Sequence, residues 1–79
     1  GTRYIHLCHP AWDHHVQIWD RSAASNHYVL CAELDQTLSA LVEDLSTMKS
    51  KHDPSKTLLD ETLVVVMSEF GRTPGALNN

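Results

Sequence analysis

The sequence predicts an α/β fold, a βαβ unit with two parallel strands and a long crossover helix. Three observations predict it. A short β-type segment, Tyr4-Ile5-His6-Leu7-Cys8, opens the chain; apolar residues then recur at helical spacing from Leu30 to Met48; and Leu63-Val64-Val65-Val66-Met67 runs without interruption near the end. Strand, long helix and strand in that order make a crossover connection, which is right-handed in nearly all parallel sheets.

Each element has its own reason. The first segment alternates aromatic, aliphatic and polar residues and gives way to a His-rich turn. Leu30, Leu34, Leu38, Leu41, Leu45 and Met48 recur at spacings of three and four, one apolar stripe of an amphipathic helix. That helix is expected at about 27–51, capped by Asn26 or Ser25. Its other face carries Glu33, Gln36, Glu43, Asp44 and Lys51, a solvated surface. Asp53-Pro54-Ser55 breaks it, because proline disfavours helix in the residue before it. The last run, residues 62–67, is continuous and β-branched, as in a parallel strand buried on both faces.

Length and charge narrow the function classes. At 79 residues the chain is one small domain or a piece of a larger one, and buries only roughly 60% of its unfolded surface. With 42% hydrophobic and 20% charged residues it has a globular composition. A formal net charge of -4 without a basic stripe argues against nucleic-acid binding. No stretch approaches the ~20 apolar residues of a membrane span. The start, Gly1 to Leu7, lacks an initiator Met and the regions of a signal peptide. The expectation is a chain that begins mid-protein, so that missing targeting signals say nothing about compartment. Cys8 and Cys31 are too few to define a disulfide framework.

In open α/β sheets ligands bind beyond the carboxyl ends of the strands, and both runs deliver polar residues there. After the first come His9 to His15, with Asp13, His14 and His15 consecutive. A carboxylate beside imidazoles suits zinc and similar divalent ions. In extended backbone Asp13 and His15 share a side and His14 faces away, which favours Asp13 and His15 as metal ligands. After the second run come Ser68, Glu69, Phe70, Gly71 and Arg72. Glu69 can bind a metal or act as a base, Gly71 lets backbone approach a ligand, and the planar fork of Arg72 suits a phosphate or sulfate. The plainer readings are a solvated turn for the first cluster and a surface Glu69–Arg72 pair for the second. Trp12 lines a pocket or simply packs.

Three segments, "GTRYIHLCHPAWDHH", "ELDQTLSALVEDL" and "DETLVVVMSEFGRTP", occur here in the order that resembles the bacterial sulfatase-like family called domain of unknown function 1501. Its members show a Gly-Trp-Asp-Thr-His segment, a Leu-Asp helix, and a Thr-Leu-Val-Val-Val strand ending in Glu-Phe-Gly-Arg-Thr-Pro. Ala11 stands here for the usual glycine and His14 for the usual threonine. The resemblance implies an alkaline phosphatase-like three-layer α/β/α domain that holds divalent metal (zinc, calcium or manganese) at the carboxyl edge of its sheet. It implies Asp13 and His15 as metal ligands. Glu69-Phe70 stands where fold relatives have an Asp-His pair, so Glu69 takes the place of a metal-binding aspartate.

The family pattern continues beyond Asn79 into Gly-Arg-Asp-His, and the nucleophile of phosphatase and sulfatase relatives lies near the start of the domain. Residues 1–79 are therefore expected to be a fragment of a single sulfatase-like domain, inert and unstable alone, whose partner is the remainder of that domain. The complete protein is expected to be a metal-dependent hydrolase of sulfate or phosphate esters, acting on a small anionic ester or sulfated carbohydrate, with Arg72 as the catalytic residue stabilising the anion. An exported or periplasmic location fits the family. Two other readings stand beside it: a non-catalytic metal-stabilised or carbohydrate-binding module, and a structural zinc site formed by Cys8, His9, His14 and His15.

Overall fold

The ordered centre of the chain is the helix α1, His27–Thr47, 21 residues long. A computed structural model describes residues 2–71 and divides them into two units, one holding residues 2–34 and the other 35–71. Asn26 starts α1. Its Oδ1 accepts the Val29 N–H at 3.1 Å, its carbonyl accepts the Leu30 N–H at 3.1 Å, and its Nδ2 donates to the Ala23 carbonyl at 3.1 Å. Only 2% of Asn26 is exposed. Burying an amide this deeply is tolerable because each of its polar groups has a partner. The His27 N–H donates to the Ile18 carbonyl at 2.8 Å, fastening the preceding turn to the first residue of the helix.

The helix stops at Thr47, four residues before the expected end, and the reason lies downstream. The Leu58 N–H donates to the Met48 carbonyl at 2.8 Å and the Ser50 N–H to the Lys56 carbonyl at 2.9 Å, framing an antiparallel bridge between Lys49 and Thr57. Ser50 anchors this closed loop. Its hydroxyl donates to Glu61 Oε1 at 2.8 Å and accepts the N–H groups of His52 and Asp53 at 3.1 and 3.2 Å, and only 3% of the residue is exposed. Asp53 then bends the chain before the 3-10 turn Leu59–Glu61, accepting the N–H and hydroxyl of Ser55 at 3.0 and 2.6 Å. Within the last turns of α1, Ser46 and Thr47 donate their hydroxyls to the carbonyls of Glu43 and Asp44. Such bonds compete with the helical ladder and suit a helix end.

The predicted βαβ unit is not what the structure contains. No strand and no sheet occur among the described residues, which hold one helix and one 3-10 turn. Tyr4, Ile5 and Leu7 are 70–80% exposed, and the run expected to be buried on both faces exposes 88% of Leu63 and 79% of Met67. The local preference survives at Thr62, which is extended at φ -122° and ψ 126°. β-propensity describes fitness for a pleated, half-buried surface, and a strand exists only as one side of a ladder. Neither segment has a ladder partner among the described residues.

The helical stripe is likewise only partly covered. Leu30, 4% exposed, is the buried apolar side chain among the described residues, whereas Leu34, Leu38, Leu41 and Leu45 are half-buried and Met48 is exposed. Asp35 is exposed. Cys8 and Cys31 are both free and exposed thiols. No helix of the described residues is long and apolar enough to cross a membrane.

Candidate functional site

The first polar cluster is a turn built on an unusual backbone. Pro10, whose ring fixes φ near -65°, precedes Ala11 at φ 75°. Proline followed by a residue at positive φ is the combination that a type II turn uses, and it asks for glycine in second place. Glycine would meet that demand without strain.

The turn divides its polar residues between two sides. Asp13 Oδ1 and His15 Nε2 meet at 3.0 Å, with about three quarters of each side chain exposed. His14 turns inward, half-buried, its ring centroid 5.1 Å from that of His27 and its Nε2 3.4 Å from the Ser25 hydroxyl. The His14 N–H donates to the Trp12 carbonyl at 2.9 Å. Asp13 and His15 thus share one side and His14 occupies the other. An exposed pair of this kind contributes at most about 1 kcal/mol to stability.

A cluster of rings backs the turn. His27, the first residue of α1, has ring centroids 5.3 Å from Trp12 and 5.1 Å from Trp19, and its buried Nε2 has no hydrogen-bond partner. Trp19 packs edge-on against Tyr28, whose face carries the Arg21 guanidinium 3.7 Å from the ring centroid, a cation–π contact. Asp20 closes the loop between them, accepting the Ser22 N–H at 2.9 Å and hydroxyl at 2.6 Å. These two bonds, the hydroxyl first, hold the Asp20 carboxyl below the usual carboxylate range.

Glu69 is exposed and belongs to the second unit, next to Ser68, whose hydroxyl donates to the Phe70 carbonyl at 3.2 Å. Gly71 has open space where a side chain would be. Arg72 lies outside the described residues. Sequence reasoning missed the contact between His9 Nε2 and Glu33 Oε2 at 3.1 Å, because it joins positions 24 residues apart. It also missed the ring cluster around His27, for which the two tryptophans flanking the turn were the available signal.

A family model with the description "Protein of unknown function (DUF1501)" matches residues 1–79, the whole chain. This chain belongs to the DUF1501 family. No curated protein and no solved structure matches it.

The DUF1501 chain can be tested for its fit to a divalent ion. Two donors each about 2.1 Å from one ion lie about 3.0 Å apart at the right angle of an octahedral site and about 3.4 Å apart in a tetrahedral zinc site. The 3.0 Å between Asp13 Oδ1 and His15 Nε2 is the distance of a direct ion pair, near the octahedral value and shorter than the tetrahedral one, so the two side chains would part slightly to admit a zinc ion. Among the described residues no group of three or more His, Cys, Asp or Glu side chains is arranged to hold a metal ion. The four-residue zinc staple of Cys8, His9, His14 and His15 is accordingly not formed there: His9 and His14 are engaged elsewhere, and Cys8 lies exposed.

Proposed function

We propose that this DUF1501 chain supplies Asp13 and His15 as metal ligands to a hydrolase of sulfate or phosphate esters. The observation that supports the reading is the Asp13–His15 pair itself: one oxygen and one nitrogen donor, exposed to solvent and brought together on one side of the turn. The chemistry of the donors favours zinc or manganese, with calcium as a further candidate. A divalent ion held there would supply a Lewis acid for the ester oxygen. The resemblance to sulfatase-like proteins adds the substrate class, a small anionic ester or a sulfated carbohydrate. It also adds Glu69 as a ligand and Arg72 as the residue that stabilises the anion through its fork of donors. The reaction type comes from that resemblance alone, and resemblance in fold does not fix function.

Calorimetric titration of the intact protein with zinc, calcium and manganese tests the proposal. Asp13→Ala and His15→Ala should each abolish binding and metal-dependent ester turnover, while His14→Ala should do much less. Glu69→Gln, which keeps the shape and removes the charge, should weaken affinity at least about tenfold, the scale of perturbing a metal's surroundings. Unchanged affinity in Asp13→Ala and His15→Ala would overturn the ligand assignment, and unchanged affinity in Glu69→Gln would remove Glu69 from it.

A further inference from the structure

Donor and acceptor inventory decides a question that the positions of the heavy atoms leave open, namely which nitrogen of His9 carries the proton. The Trp12 indole nitrogen is a donor and has no acceptor capacity. It lies 3.0 Å from His9 Nδ1. Nδ1 must therefore present a lone pair, and in a neutral imidazole the proton sits on Nε2. Nε2 in turn lies 3.1 Å from Glu33 Oε2, an acceptor on α1. The contact is thus a hydrogen bond from a neutral ring to a carboxylate, and Glu33 selects the tautomer that Trp12 requires.

The consequence reaches the candidate metal ligands. No backbone hydrogen bond joins the Trp12 N–H to the His9 carbonyl among the described residues, so the turn over Pro10 and Ala11 is closed by side chains. Trp12 then passes the constraint on, since its carbonyl accepts the His14 N–H at 2.9 Å and Asp13 lies between the two. The His9 and Trp12 rings meet edge to face, with centroids 5.5 Å apart, and the Trp12 ring also rests on His27. From this chain of contacts the geometry points to Glu33 and His9 as positioning residues, which lock the His9 tautomer and fix the turn that presents Asp13 and His15. Their effect on a metal rests on the function proposed above; the tautomer lock does not.

Nitrogen-15 NMR of histidine-labelled intact protein reads the tautomer directly, and exchange of the Trp12 indole N–H reads the closing bond. The wild-type protein should show His9 with a bare Nδ1 and a protonated Nε2. Glu33→Ala should mix the tautomers and speed indole exchange about fivefold, the change in opening that the loss of one ordinary hydrogen bond corresponds to. Glu33→Gln keeps an acceptor and should keep the tautomer. His9→Asn places an amide oxygen where Nδ1 was and should preserve slow indole exchange, whereas His9→Gln places its amide at the Nε2 position and should not. A purely structural role would lower stability without moving the tautomer ratio.

A protonated Nδ1 in the wild type, or a tautomer ratio indifferent to Glu33→Ala, would overturn the lock. Titration with zinc, manganese and calcium separates this from the functional proposal. Wild-type protein that binds none of the three defeats the metal site and leaves the lock standing. Metal affinity that stays constant in Glu33→Ala, while the tautomer shifts, defeats the positioning role. A loss of about tenfold supports it.

Discussion

Ala11→Gly should make the protein more stable, although the same exchange elsewhere in the chain should make it less so. Ala11 is exposed and sits at φ 75°, where an L side chain crowds the backbone at a cost of about 1–2 kcal/mol. Removing its Cβ relieves that crowding and sacrifices almost no packing. Glycine also gains freedom in the unfolded chain, which offsets about 0.4–1 kcal/mol. The net expectation is a stabilisation of about 0.5–1 kcal/mol. With a urea slope near 1 kcal/mol per molar for a small protein, the unfolding midpoint should rise by about 0.5–1 M.

Ala40→Gly is the internal control. It is an exposed position in the middle of α1, where glycine should lower stability by about 1 kcal/mol. Opposite signs at positions 11 and 40 would reflect backbone conformation, since the atoms removed are identical. Equal destabilisation at the two positions, seen in paired urea melts, would refute the reasoning and with it the strained turn.

Asn26→Ala should destabilise by about 1–2 kcal/mol in the same melts, since it removes the α1 cap and a buried bond to Ala23 together. Ser50→Ala should cost about 1–3 kcal/mol, because the His52 and Asp53 N–H groups lose their common acceptor, and circular dichroism should show α1 intact. Asp20 and Asp53 are each held below the usual carboxylate range by the hydroxyl, and then the N–H, of the serine two positions on. A carboxyl depressed in the folded state contributes stability that is complete above its unfolded value and is lost as pH falls through the folded one. Stability should therefore decline in acid below the usual carboxylate range. The double variant Ser22→Ala with Ser55→Ala should flatten that decline, and side-chain NMR titration should show both carboxyls moving upward.

What could be read from the sequence follows the distance over which each decision is made. The start of α1 was legible because capping is settled within three residues, as Asn26 and Val29 show. Its end was not, because Met48 and Ser50 are claimed by Leu58 and Lys56, partners that lie outside any helical period. Extended backbone at Thr62 was legible, but its strand was not, since pairing depends on a partner that local preference does not name. At the candidate site, alternation along the chain separated Asp13 and His15 from His14. Glu33 was read as solvated from its helical face, and it is more than half exposed, yet it also meets His9 from 24 residues away.

The closed loop anchored by Ser50 and the His9–Glu33 contact also differ in when they can form. In a chain refolding from denaturant, the loop has the shorter route: its side-chain bond spans 11 residues, and contacts of that range close in about 10–100 ns. The bond between His9 and Glu33 spans 24 and needs α1 already wound to hold Glu33 in place. Synthesis on a ribosome reverses the order. Everything required for the N-terminal contact emerges from the ribosome before Glu61 does, and at about 5–20 residues per second the interval between Glu33 and Glu61 lasts on the order of seconds. The turn bearing Asp13 and His15 then has time to settle before the serine loop has its anchor, so nascent and refolded molecules reach the same contacts in opposite sequence.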